Sequence, residues 1–406
     1  MTVLHFLTAG ESHGPSLSAI LDGMPAGVPL SAAYIDHDLA RRQQGYGSGG
    51  RMKIERDHAK LTGGVVAGHT TGAPIAFIVD NLDYAKWQDR DIEPMTIPRP
   101  GHADLTGAVK YGYRELRLAL ERASARETTM RVAVGAACRA LLSQFGIMVG
   151  GYVVSVGDVA IDDSRRLSPD SNHNRPSAVD AYLEKFKRAE ASDVRCYDEA
   201  TGERMRAKIR AIMDAKDTLG GVIEVAALNV PPGLGSHVQW DRRLSGRLAQ
   251  AVMSIHAMKG VEIGDGFAET LLPGTQVQDA LYIANGAISQ HTNHAGGLEG
   301  GITNGAPVVV RAALKPIATT LNPLDSVDLA SGDAVKTKYE RSDFCQVPRA
   351  VPIVEAMVCF VLADALIEKL GGDSLAEMKP RFDALRQMRL EQLAMDNVPW
   401  RFGYDA

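Results

Sequence analysis

Cysteine is scarce in this chain, with four in 406 residues. Cys138, Cys196, Cys345 and Cys359 form no Cys-x-x-Cys pair and no disulfide framework. Cys138 and Cys359 lie in apolar helical patterns and read as core thiols. No long apolar run is uninterrupted either. The longest, Ala350 to Ile367, contains Glu355 and Asp364, which predicts a buried helix rather than a membrane span. The opening Met-Thr-Val-Leu-His-Phe has no basic stretch followed by an apolar one, so a cytoplasmic protein is expected. Neither sign of charge dominates: 44 Lys+Arg face 49 Asp+Glu, for a net charge of -5. That balance excludes a whole-surface basic footprint for nucleic acid but leaves room for a local basic pocket. No Gly-x-x-x-x-Gly-Lys-Ser/Thr occurs, which removes a P-loop.

Aromatics are also few, at 6%, whereas glycines number 40. The glycines cluster, so they mark turns and close backbone approaches rather than low complexity. Set side by side, the clusters show an internal repeat. Gly63-Gly64-Val65 with Thr71-Gly72-Ala73-Pro74-Ile75 matches Gly296-Gly297-Leu298 with Asn304-Gly305-Ala306-Pro307-Val308 at identical spacing. Met24-Pro25-Ala26-Gly27 matches Val230-Pro231-Pro232-Gly233. Asp36-x-x-Leu39-x-x-Arg42 matches Asp241-x-x-Leu244-x-x-Arg247.

Each half closes on a long apolar helical pattern, 127–145 and 351–370, preceded by strand signals at 73–79, 221–227 and 306–313. Strands grouped before helices favour an α+β arrangement over a doubly wound sheet. We therefore expect two related halves, 1–150 and 217–372. Between them runs a charged helical connection, 151–216, read as a solvated excursion. An amphipathic helical tail, 373–406, is broken at Pro380.

Several motifs fail in context. Gly10-Glu11-Ser12-His13-Gly14 matches a nucleophile elbow only as a string, because no sheet precedes it. It reads better as a polar turn that exposes His13 after a strand. His291-x-x-His294 lacks a third ligand at metal spacing, and no strand leads into Gly45–Gly50. More informative is arginine in the company of glycine, serine and histidine: Arg41-Arg42, Arg51, Arg99-Pro-Gly-His102, Arg122-Ala-Ser124-Ala-Arg126, Arg131 and Arg341-Ser-Asp343. Arginines beside a helix start form an anion cradle. So many clusters in Gly-rich loops point to a polyanionic small molecule, with Lys315–Thr320 as a further polar loop. The residues alone predict an enzyme for a phosphorylated, carboxylated ligand, with His13 and His102 as acid–base candidates.

Gly10–Gly14, Arg99–Asp104, Arg122–Thr128, Met258–Phe267, Gly296–Gly305, Leu314–Pro316 and Arg341–Asp343 with Arg349–Pro352 closely resemble the chorismate synthase family, in family order. The resemblance implies a β-α-β sandwich, with antiparallel sheets enclosing central helices, and a homotetramer. It implies the 1,4-anti elimination of phosphate from 5-enolpyruvylshikimate 3-phosphate to give chorismate, with reduced FMN required. By the same resemblance His13 protonates the departing phosphate with Ser12 beside it, and His102 sits at the flavin ring. Asp343 relays the substrate proton, assisted by Ser124. FMN contacts map to Arg122, Ala123, Ser124, His256, Ala257, Gly300, Lys315, Pro316, Ile317, Ala318, Thr319 and Arg341. Substrate or NADPH phosphate recognition falls on Arg42, with Arg126 and Arg131 as further candidates.

Two positions depart from the family pattern: Ser48 where a second loop arginine is usual, and His256 where Asn or Gln is common. Whether NADPH reduces the flavin on this chain, or a separate flavin reductase does, stays open. A flavin-dependent oxidoreductase and a non-catalytic binding protein are the alternatives. No metal, nucleic acid or membrane partner is expected.

Overall fold

The computed structural model describes residues 4–47, 56–162, 178–340 and 343–403. Its described residues build a mixed α+β fold around two antiparallel sheets. The first sheet orders His5–Ala9, Ser16–Asp22, Ile75–Asp80 and Ala59–Gly63 side by side. Its strands alternate as a half-buried sheet should: Leu17, Ala19, Leu21, Ile75, Phe77 and Val79 all point into the core. The second sheet orders Met148–Val156, Gly221–Leu228, Val308–Leu314 and Met258–Ile263, with the short Val159–Ala160 added at one edge. Read in chain order, both sheets follow the same plan: first, second, fourth, third.

Between the sheets lie four helices: α1 (Ala32–Gln43), α2 (Thr128–Ser143), α3 (Leu244–Met253) and α4 (Val347–Leu370). Helix α2 packs on the first sheet, α4 on the second, and the two pack along one another. Both are apolar on nearly every side, as befits helices covered all round. Helix α4 is long and apolar enough to cross a membrane, yet it is almost wholly buried inside the fold. The carboxylates that interrupt its apolar run are both paired. Glu355 accepts from Arg41 and Arg139, each at 2.7 Å. Asp364 accepts the Leu4 N–H at 2.8 Å and Arg247 at 2.5 Å. Unpaired, either would carry a cost of several kcal/mol, on the order of 3–5.

The two halves also repeat their hydrogen bonds. Thr70 Oγ1 donates to the Pro25 carbonyl and accepts the Val28 N–H; Thr303 Oγ1 donates to Pro231 and accepts from Leu234. Gly64 (φ +79) and Gly297 (φ +76) sit where a Cβ would lie 2.5 Å from the carbonyl oxygen of Pro74 and Pro307 respectively. Only glycine fits both demands. We infer a duplicated unit from this. The Asp-x-x-Leu-x-x-Arg segments do not correspond as expected, because Asp36 lies within α1 whereas Asp241 lies in the turn ahead of α3.

Three expectations shift. The strand Met148–Val156 belongs to the second sheet, so residue 150 falls inside a strand instead of between halves. The connection after it is more than a solvated excursion. Its helix Ala178–Glu190 lays Val179, Tyr182 and Phe186 over Ala226, Leu228 and Val309, covering the outer face of the second sheet. The tail helix Leu375–Asp383 carries Pro380 inside it instead of breaking there. Ser374 caps it, and buried Leu375 and Met378 anchor it.

Candidate active site

The Gly10–Gly14 segment is the turn between the first two strands, and the following Pro15 carbonyl accepts the Asn81 N–H. Asn81 in turn donates its side-chain amide to the carbonyls of Ser12 and Gly14, which fixes the turn against the sheet. Facing it is the end of the short helix Arg117–Arg122, whose Glu121 carbonyl accepts the Ser12 N–H at 3.1 Å. From the second half come residues 256–259 and 315–319. Ala257 holds a left-handed backbone (φ +64) and accepts the Lys315 N–H at 3.0 Å. For a residue with a Cβ that conformation costs roughly 1–2 kcal/mol, and such strain concentrates at functional sites.

These loops enclose a cavity of about 610 Å³. Of the predicted residues, Ser12, His13, Arg42, His102, Ala123, Ser124, Arg126, His256, Ala257, Lys315, Ile317, Ala318, Thr319 and Asp343 line it. Others stand back. Arg122 donates to the Thr8 carbonyl and hydroxyl, tying its helix to the first strand. Arg131 pairs with Glu127 at 2.9 Å and donates to Ser254, a structural partnership. Pro316 separates two lining residues without lining the cavity itself. Gly300 lies exposed at the tip of the Leu298–Thr303 hairpin, near His237. Ser48 and Arg341 lie outside the described residues.

The cavity wall is basic. Arg42 donates to Thr128 Oγ1 and the Ala125 carbonyl, both at 3.0 Å, and faces Asp57 at 3.5 Å. Burial, with Arg349 and Arg126 adding to it against the pull of Asp57, brings Arg42 down to about 10. It remains a cation at neutral pH. Arg349, Lys259 and Lys315 line the same space. Arg349 donates to Asp343, which holds that carboxylate at the cavity edge.

Each of the two histidines leans on a carboxylate. His102 Nδ1 lies 2.6 Å from Asp104, which also accepts the Arg99 backbone N–H and guanidinium. Burial pushes the Asp104 carboxyl up, but those hydrogen bonds prevail and hold it well below the ordinary range. His13 Nδ1 lies 2.8 Å from Glu121, and the Trp87 ring packs against it, tilted by 47° with centroids 4.2 Å apart. Ser124 Oγ donates to Ser12 Oγ at 3.0 Å, joining the turn to the helix entry. His256 also lines the cavity, and its buried Nδ1, 3.9 Å from Glu127, makes no hydrogen bond.

Asp57, Trp87, Glu121, Lys259 and Arg349 escaped selection from the sequence as site residues. Lys259 and Arg349 stood inside motifs already singled out, as did Asp104, so a search for charged partners within those motifs would have found them. Glu121 meets a residue 108 positions away, and nothing local announces it. His291 and His294 are accounted for otherwise: His291 stacks on Tyr282 and His294 bonds Asp265. Among the described residues no cluster suits a metal ion.

A basic cavity with two carboxylate-backed histidines, set in antiparallel sheets packed on central helices, defines an acid–base enzyme for a small polyanion. A chorismate synthase family model matches residues 4–367. Over 390 residues the chain is 51% identical to the chorismate synthase of Aquifex aeolicus (strain VF5), covering 94% of this chain and 96% of that one. It is 49% identical over 397 residues to that of Trichlorobacter lovleyi, covering 94% and 98%. A crystal structure of chorismate synthase superposes with a TM-score of 0.75 at 44% identity, covering 94% of this chain and 96% of that chain. The chain belongs to the chorismate synthase family, the lyases of the shikimate pathway of aromatic amino acid biosynthesis.

Proposed function

We propose that the chain converts 5-enolpyruvylshikimate 3-phosphate to chorismate by 1,4-anti elimination, and that the basic, histidine-bearing cavity is where it does so. The carrying observation is the convergence of Arg42, Arg126, Arg349, His13, His102 and Asp343 on one space from separate parts of the chain. A substrate with two carboxylates and a phosphate matches that wall, because guanidinium binds such groups through paired hydrogen bonds. In the elimination the C–O bond breaks with its electron pair going to the departing phosphate, and the ring C–H pair becomes part of the new diene. His13 protonates the leaving phosphate, which lowers the cost of the charge that develops there. Asp343, held by Arg349, carries off the ring proton with Ser124 near the path.

The residues present also fit FMN. Ala123, Ser124, Ala257 and Ala318 give a wall of small side chains, with His256, Lys315 and Thr319 beside them as polar contacts. Reduced FMN, when bound there, supplies electron density that assists phosphate loss. We further propose a homotetramer, supported by the exposed apolar residues of the 267–290 region and the tail.

The test is anaerobic absorbance at the chorismate band with protein, substrate and chemically reduced FMN. Many chorismate molecules per reduced flavin are expected. Net flavin oxidation matched to turnover would instead make the chain an oxidoreductase, and no product would overturn both readings. Repeating the assay with oxidised FMN and NADPH decides whether a separate reductase is required.

A further inference from the structure

We infer that Glu121 is a positioning residue that fixes both the orientation and the tautomer of His13. Its two carboxylate oxygens act on one residue: Oε2 accepts the His13 backbone N–H at 2.8 Å, and Oε1 lies 2.8 Å from ring Nδ1. A side chain that grips both the backbone and the ring of its partner leaves little rotation about χ1 or χ2. Trp87 packs against the ring at a tilt of 47°, and Trp87 is itself held by Asp83, to which its Nε1–H donates at 3.3 Å.

The tautomer follows from hydrogen-bond chemistry. An ionised carboxylate only accepts. Burial raises the Glu121 carboxyl, but the hydrogen bonds from the His13 ring and backbone outweigh this, and Arg117 adds to the lowering. Glu121 is therefore ionised, and Nδ1 is the ring nitrogen that carries the proton toward it. Nε2 is then the nitrogen left for the cavity: it accepts a proton on the neutral ring and donates one only when the ring carries both. In the other tautomer the two nitrogens exchange roles, and an unprotonated Nδ1 would face the Glu121 carboxylate, acceptor against acceptor.

This inference rests on the reading of His13 as the acid that serves the leaving phosphate. The experiment compares wild type with Glu121→Gln, using nitrogen-15 histidine NMR on the protein without substrate and steady-state kinetics. A His13→Gln protein identifies the His13 signals. In the wild type, neutral His13 is expected as the Nδ1–H tautomer. In Glu121→Gln the carboxamide keeps its oxygen on the backbone N–H and turns its NH₂ toward Nδ1, so neutral His13 switches to the Nε2–H tautomer. The kcat is expected to fall about 10²-fold while KM stays within about threefold. Glu121→Ala, which deletes both bonds, is expected to give mixed tautomers and a similar kcat loss.

An Nε2–H tautomer in the wild type would overturn the inference. So would a Glu121→Gln protein with an unchanged His13 signal and kcat, even if its thermal stability dropped. The NMR result stands whether or not chorismate is formed, so failure of the proposed reaction and failure of the clamp are told apart.

Discussion

His256 stands out in the sequence as a departure from the family pattern, but its burial does not. It follows Ile255, two residues past the Ser254 that caps a helix, and precedes Ala257, and this short loop does not signal that the imidazole is buried. In the fold, burial holds it below its ordinary value of 6.5; Glu127 pulls the other way, and Arg131, His102 and Arg122 add to the lowering. Its folded-state value is thus lower than its unfolded one. Below about pH 6.5 the unfolded chain takes up a proton that the folded chain refuses, so stability is lost as the pH falls. A His256→Gln protein keeps a polar side chain without that titration. Its Tm is expected to fall less than the wild type's between about pH 7.5 and 5.5, measured by calorimetry at fixed ionic strength; an equal fall would refute the assignment. The arginine-rich loops were legible because their charge stands next to glycine and serine in the sequence. Glu121 and Asp57 were not, because a carboxylate's meaning depends on which distant cation or ring the fold brings to it.

At the scale of elements, the long apolar patterns of α2 and α4 were plain in the sequence, and so were the Gly-Pro signatures that recur in both halves. The strand Met148–Val156 was not. Gly150 and Gly151 weaken its strand signal, yet they are what the fold needs there: a Cβ on Gly150 would lie 2.5 Å from the Phe186 ring of the covering helix. Tertiary packing, absent from local propensity, decides that segment. The same logic makes a sharper demand between α2 and α4. Gly135 meets Ala356 so closely that an added Cβ would lie 2.3 Å from its Cβ and 2.4 Å from its Cα. Both atoms belong to a helix that cannot yield by rotating a side chain. Gly135→Ala is a gain in helix propensity on paper, but it is expected to cost about 3 kcal/mol or more by prying the central helices apart. Urea denaturation checks this, and a variant as stable as the wild type would mean that the helices do not pack at this distance.

For the whole molecule, the two sheets are alike in order but not in cover. The outer face of the second is sealed by the helix Ala178–Glu190, while Leu7 and Ile20 on the first remain 78% and 52% exposed. More apolar surface projects elsewhere. The hairpin of Leu281–Ala284 and Ala287–Gln290 stands apart from both main sheets and is braced by the tail through an Ala287–Arg389 bridge, the Ile288 N–H donating to Met388 and the Leu390 N–H to Gly286. Leu281 and Ile283 on it, with Phe267 and Leu271 nearby in sequence, are all more than half exposed. A two-stranded hairpin has marginal stability in water, and an exposed apolar group of this kind marks a contact surface. Composition and net charge could not show it, since the pattern depends on which apolar residues the core leaves out. If copies of the chain cover this surface, as the proposed homotetramer requires, light scattering after size exclusion gives a tetramer for the wild type. Leu281→Asp combined with Ile283→Asp then gives smaller particles with an unchanged far-ultraviolet circular dichroism spectrum, because a carboxylate left in an apolar contact opposes association by several kcal/mol, roughly 3–5. A tetramer that survives both substitutions would place the contact elsewhere, with the uncovered face of the first sheet next to be tested; a monomeric wild type at micromolar concentration would remove the tetramer altogether.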